Sequence, residues 1–174
     1  VNGRLVDGPD ATAGEIGHLT VELDGPLDGE GAPGHVEGIA SGAALARDGA
    51  ALIERGAAPR LAELVSSGTP VDAAAVCAAA DAGDAACRSL IERAWSAIGA
   101  TCAGLVNLLN PEVLVLGGGI ADHRSELHDV VRTEIGRRAF PLPAARVVVR
   151  PSRFGENVSL VGCWPLIHET EAGG

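Results

Sequence analysis

From Ala85 to Leu109, apolar side chains return at near-helical intervals: Leu90, Ile91, Ala94, Trp95, Ile98, Cys102, Leu105, Val106 and Leu109. That wide stripe predicts one long core helix in which Trp95 serves packing and not ligand binding. Asn110-Pro111 ends it, because the residue before a proline avoids the α region. Upstream the apolar runs are shorter. Ser41 is placed to cap a helix from Ala43 to about Arg55, Pro59 interrupts the next stretch, and Ala58 to Leu64 predicts another short helix. Asp72 to Asp81 predicts a third, and Asp84 is placed to cap the long one. Downstream, Val113-Leu114-Val115-Leu116 is a continuous apolar run, as expected of a strand buried on both faces. A helix from about Arg124 to Arg138 comes next, with Arg137 and Arg138 suited to the negative end of its dipole. Pro141 and Pro143 read as a stiff connector into a second strand, Arg146 to Arg150. Strand, helix, strand in that order predicts a parallel pair joined by a right-handed crossover.

The first twenty-odd residues read as strand, turn and strand, and residues 24–38 as a loop too rich in Gly, Asp and Pro for regular structure. One short motif precedes that loop and a second closes it. In Gly14-Glu15-Ile16-Gly17-His18 a carboxylate and an imidazole stand three residues apart between glycines, which let the backbone turn tightly and a ligand approach it. Glu15 offers an acceptor for hydroxyls, and His18 offers a hydrogen bond or a metal bond. The pair suits a polyhydroxylated ligand such as a sugar, although the same string taken alone equally describes a solvated turn. The second motif is Gly34-His35-Val36-Glu37, where Glu37 is also placed to compensate a helix N-terminus. Further on, Gly117-Gly118-Gly119 falls at the carboxyl end of a parallel strand, where open α/β sheets bind ligands. It lacks the lysine and serine of a phosphate loop, and alone it would be only a tight corner.

Composition narrows the picture. With 174 residues, 47% of them hydrophobic, the chain can bury one sizeable core, which suggests one domain over residues 1–174. There are two Trp and two Phe and no Tyr or Met, so the core must come from Ala, Val, Leu and Ile on closely approaching helices. A net charge of −10 argues against nucleic-acid binding by this stretch, since phosphate contacts need clustered Lys and Arg. Cys77, Cys87, Cys102 and Cys163 form no CxxC pair and suggest buried free thiols in a cytoplasmic protein. No signal peptide or membrane span is evident, so no membrane partner is expected. Asp122, His123 and His128 read as surface residues. The chain opens at Val1, in what looks like the middle of a hairpin, and is expected to be a fragment.

Taken in order, the Gly14–His18 motif, Gly34-His35-Val36-Glu37, Ser41-Gly42-Ala43-Ala44-Leu45-Ala46-Arg47 and the run from Leu109-Asn110-Pro111 to Gly117-Gly118-Gly119-Ile120 resemble the C-terminal portion of the ROK family. That family groups sugar kinases with sugar-responsive repressors, and the resemblance extends from Gly3-Arg4-Leu5-Val6 to Val161-Gly162. It implies an α/β fold of the actin-like, ribonuclease-H-like ATPase type, with a partly parallel sheet packed with helices. It also implies sugar-hydroxyl contacts from Glu15, His18 and Glu37, a nucleotide-facing turn at Gly117, Gly118 and Gly119, ATP with Mg²⁺ as cofactor, and a homodimer.

Two departures stand out. The family's zinc loop carries one histidine and three cysteines, whereas residues 24–38 contain no cysteine. The matching positions are His18, Asp28, Glu30 and His35, which can all coordinate a metal, but without thiolates zinc is not expected. No segment resembles the family's first phosphate loop or the one bearing its catalytic aspartate, so those residues are expected upstream and the chain alone is expected to be inactive. The resulting expectation is the C-terminal part of an ATP-dependent kinase of hexoses or N-acetylhexosamines. The alternative is the effector-binding domain of a ROK-type repressor, and a weaker third is a degenerate scaffold used for dimerisation.

Overall fold

The computed structural model describes residues 5–66, 68, 70–157 and 160–163. It divides into two compact units, residues 1–101 and 102–174, and the division falls inside the long helix.

The first unit begins without strands among its described residues. Gly8, Ala11 and Gly14 all adopt positive φ, and a single 3₁₀ turn spans Ile16–His18. The expected strand–turn–strand is therefore corrected: turn-forming Gly8-Pro9-Asp10 and Gly14 dominate the weak alternation around them. The part of that expectation before residue 5 lies outside the described residues. The loop after the turn is more ordered than its composition suggests. Antiparallel bridges join Thr20 to His35 and Leu27 to Pro33, and a short helix α1 (Val36–Ala40) grows from the loop's end.

The next helices match the pattern closely. Helix α2 (Gly42–Glu54) is capped by Ser41, whose Oγ accepts from the Ala44 amide at 3.0 Å. Helices α3 (Pro59–Ser66) and α4 (Ala73–Asp81) pack on α2 and on each other, and Asp72 Oδ1 caps α4 through the Ala75 amide at 2.8 Å. Leu45, Leu61, Val76, Ala79 and Ala80 form the interior, small enough for close helix approach. Asp84 does more than the sequence indicates. Buried beside α5 (Ala85–Leu109), it accepts from the amides of Ala86 and Cys87 at 3.2 Å and, with its other oxygen, from that of Arg60 at 3.0 Å. One carboxylate thus satisfies the orphan donors of two helix starts. The α5 stripe is buried at Ile91, Ala94 and Trp95.

In the second unit, Cys102, Ala103 and Val106 of α5 are buried, whereas Leu109, the last residue of the stripe, is 53% exposed. Asn110 leaves the helix with φ +46, a left-handed exit that asparagine tolerates. Strand β1 (Val113–Leu116) pairs in parallel with β2 (Val148–Pro151), with Leu114 beside Val149. Between them lie α6 (Gly119–His123), α7 (Glu126–Arg138) and α8 (Pro141–Arg146).

Four expectations are corrected here. β1 is not buried on both faces: Val113 and Val115 are exposed while Leu114 and Leu116 are half-buried, because the two-stranded sheet packs on α7 through β2. The proline connector is α8, since prolines in a first helical turn sacrifice no intrahelical donor. His128 is buried, because it shares the inward stripe of α7 with Val131 and Ile135. Its spacing from His123, which suggested a surface position, says nothing of that stripe. Cys163 is exposed, while Cys77, Cys87 and Cys102 are buried and form no disulfide; burial pushes the thiols of Cys87 and Cys102 up to about 11.

Glu134, almost fully buried on α7, bonds the guanidinium groups of both Arg137 and Arg138. The Arg138 bond in particular holds its carboxyl below the usual range. By linkage, the stability this group adds is present above the ordinary glutamate pKa and is lost as pH falls through the lowered one. Glu134→Gln should therefore lower stability at pH 7 by on the order of 1 kcal/mol. The gap from wild type should close in acid below pH ~4, as read by denaturant midpoints across that range.

Candidate sugar site

The first unit gathers the motif residues around one hollow of about 430 Å³, lined by Glu15, Gly17, His18, Glu30, Val36, Glu37, Ala40, Ser41 and Ile98. Glu15 and His18 come from the 3₁₀ turn and its cap, and Glu37 from the first turn of α1, which packs against that turn. His18 Nε2 lies 3.9 Å from Glu37 Oε2, and both side chains remain partly exposed to the hollow. Carboxylates and an imidazole set this way offer acceptors in a hollow that the apolar Ile98 and Ala40 also line, a surface suited to a ring with hydroxyl edges. A larger hollow of about 500 Å³ opens beside Asp24, Asp48, Arg55 and Arg93, but it contains no motif residue.

Behind His18 lies the loop. Asp28, whose side chain is fully enclosed, accepts from the amides of Ala32 at 2.8 Å and Glu30 at 3.1 Å through Oδ1. Its Oδ2 lies 2.5 Å from His35 Nδ1 and 3.3 Å from His18 Nδ1. The Ala32 amide, joined by the two imidazoles and the Glu30 amide, holds the Asp28 carboxyl down at about 2. The two rings meet edge to face, centroids 5.5 Å apart. All four metal-capable candidates are therefore brought into one neighbourhood. Ligand atoms of His18, Asp28 and His35 lie within 4.8 Å of one another, as do those of His18, Asp28, Glu30 and Glu37.

Glycines permit close approaches in the loop, at Gly34 and Gly38 among others. A Cβ on Gly34, whose φ is +71, would sit 1.5 Å from the Glu22 carbonyl oxygen. One on Gly38 would press on the Leu27 carbonyl at 3.0 Å, so α1 lies directly on the loop backbone.

Two arginines escaped the sequence reading. Arg47, on α2, donates through Nη1 to the Leu27 carbonyl at 3.2 Å, through Nη2 to the Gly38 carbonyl at 2.8 Å, and through Nε to Asp48 at 2.7 Å. It ties the loop bearing Asp28 to the helix bearing Glu37. Arg93, on α5, forks onto Glu22 at 2.9 and 2.5 Å, which lowers the Glu22 carboxyl. Arg47 already stands inside the Ser41–Arg47 motif, yet nothing in its spacing marks carbonyls as its targets.

Gly117–Gly119 belongs to the second unit, at the carboxyl end of β1; Gly118 adopts φ +99 and Gly119 begins α6. Asp122 and His123 are exposed on that helix.

The model of the ROK family matches residues 1–170. The chain belongs to the ROK family. Among ROK relatives, a glucokinase of Halalkalibacterium halodurans is 30% identical over 171 residues, which is 98% of this chain and 52% of that protein. An N-acetylglucosamine repressor of Shigella flexneri is 28% identical over 176 residues, 99% of this chain and 41% of the repressor. The structure of a ROK family glucokinase from Streptomyces griseus in complex with glucose and AMPPNP superposes with a TM-score of 0.74 at 28% identity. That superposition covers 95% of this chain and 55% of the glucokinase. The chain has the actin-like ATPase fold of the ROK sugar kinases, helix-rich with a small parallel sheet. It spans about half the length of the glucokinase relatives it matches. No helix among the described residues is long and apolar enough to cross a membrane.

Arg47→Ala should loosen α1 from the loop. In the full-length protein, the expected outcome is a loss of about 1–3 kcal/mol from three bonds, read by thermal or denaturant unfolding. Arg47→Lys should recover only part, since an ammonium cannot fork between two carbonyls and a carboxylate.

Proposed function

We propose that this chain is the sugar-gripping C-terminal part of a cytoplasmic, homodimeric ROK kinase that phosphorylates a hexose or N-acetylhexosamine with ATP and Mg²⁺. The observation that carries this is the shared hollow: Glu15, His18 and Glu37 all line it, with His18 Nε2 3.9 Å from Glu37 Oε2. Similarity to glucokinases, one of them solved with glucose and AMPPNP, supports the choice of substrate and cofactor. In this reading Glu15 and Glu37 accept hydrogen bonds from sugar hydroxyls and His18 completes the edge. Phosphoryl transfer depends mainly on positioning and charge stabilisation, so fixing the acceptor hydroxyl is a contribution of real size. Gly117, Gly118 and Gly119 are assigned to the nucleotide side, ATP supplying the phosphoryl group; no residue here is assigned as base. Zinc plays no part in the proposed protein.

A second reading, the effector-binding domain of a repressor, is favoured by the similarity to the N-acetylglucosamine repressor. It uses the same three residues without phosphate transfer.

Calorimetry of the full-length protein with glucose and N-acetylglucosamine tests both. Glu15→Gln, His18→Ala and Glu37→Gln should each weaken binding about tenfold or more. Wild-type protein that binds neither sugar, or three variants that bind as wild type does, would refute the site. ATP-dependent phosphorylation of the bound sugar would support the kinase; binding without turnover would support the repressor.

A further inference from the structure

We propose that the Asp28 carboxylate, and not a metal ion, holds His18 in place: it bridges the Nδ1 atoms of His18 and His35, leaving His18 Nε2 free to accept a hydrogen bond from a ligand hydroxyl. The inference rests on the reading of His18 as a sugar contact and names what orients it.

The ROK zinc loop is the natural comparison, and this donor set does not fit its ion. Residues 24–38 supply no sulfur. Both Asp28 oxygens are engaged within the loop, Oδ1 by the amides of Glu30 and Ala32 and Oδ2 by the two imidazoles. The 2.5 Å between Oδ2 and His35 Nδ1 is a direct hydrogen bond. Two donors each about 2.0 Å from one tetrahedral zinc stand roughly 3 Å apart instead. Glu30, the fourth metal-capable position, is exposed and groups with His18, Asp28 and Glu37, whereas His35 groups with His18 and Asp28 alone, so no single cluster holds all four positions that match the zinc ligands.

What the carboxylate does in exchange is specific. A carboxylate on one ring nitrogen fixes both the tautomer and the ring plane of a histidine. With Nδ1–H given to Asp28, Nε2 is the ring nitrogen of His18 left for a ligand in the hollow, 3.9 Å from Glu37 Oε2 and beyond hydrogen-bond distance of it. Glu37 and Glu15, which line the same hollow, are acceptors too, so the site selects ligands that donate, which hydroxyl groups do and carbonyl or ether oxygens do not. The bridge is held by the loop around it. Asp28 is enclosed, its loop is bonded to α2 by Arg47, and Gly34 lets the chain turn back beneath Glu22. His35 is the second arm, half-buried and closing the carboxylate's far side.

The test uses the full-length protein and three readouts: elemental analysis, long-range ¹⁵N spectra of the imidazoles, and calorimetry with glucose. Expected are no stoichiometric metal, His18 in the Nδ1-protonated tautomer, and a glucose affinity that EDTA leaves unchanged. Asp28→Asn should move His18 to a mixture of tautomers and weaken glucose about tenfold. His35→Ala, which spares the Asp28–His18 bond, should keep the His18 tautomer, and it serves if the Asp28 variant does not fold. One equivalent of metal per chain, loss of glucose binding on chelation, or an Nε2-protonated His18 would each overturn the bridge. If wild type binds no sugar, the sugar reading fails, while elemental analysis and the ¹⁵N spectra still decide what holds His18.

Discussion

Asp28 is a single carboxylate with no exposed surface that accepts from two amides of its own loop and faces two imidazoles. An enclosed charge is tolerated only when it is well partnered, and this one gathers its partners from three places along the chain. The 3₁₀ turn contributes His18, the loop contributes its backbone, and the entry to α1 contributes His35. The geometry of the hollow results from that convergence, because His18 lines it and Glu37 begins two residues after His35.

Around this centre, the loop is held by bonds to neighbours that carry no motif chemistry. Arg47 binds carbonyls of Leu27 and Gly38 from α2, and Arg93 binds Glu22 from α5. Gly34 and Gly38 permit approaches that any Cβ would forbid or crowd. Helix α2, which carries Arg47, packs on α1, α3 and α4, while Ser41, Asp72 and Asp84 fix where their helices start.

Helices in this chain were legible because their signals are local. Ser41, Asp72 and Asp84 announce caps, and the recurrence from Leu90 to Val106 announces a buried face, so α2, α4 and α5 fall within a residue or two of expectation. Strands were less legible. Val113–Leu116 was recognisable as a strand, but its burial depends on which faces are covered, a property of its neighbours. The opening residues alternate weakly, and turn-forming glycines outweighed them. His128 was misplaced because its partners in the α7 stripe, Val131 and Ile135, matter more than its distance from another histidine.

For the site, the sequence by itself determined the chemical inventory: a carboxylate and imidazole at Glu15 and His18, an acid at Glu37, and a loop with Asp28, Glu30 and His35 where thiolates are absent. It also determined the family, through motifs whose order survives without the loop cysteines. Tertiary structure alone decided that Asp28 stands between the two histidines, that Arg47 ties the loop to α1, and that the three sugar candidates line one hollow. The reason is physical: motif spacing fixes which groups are available, but hydrogen bonds between residues seven to twenty apart depend on how a glycine-rich chain turns back on itself, and that is set by packing.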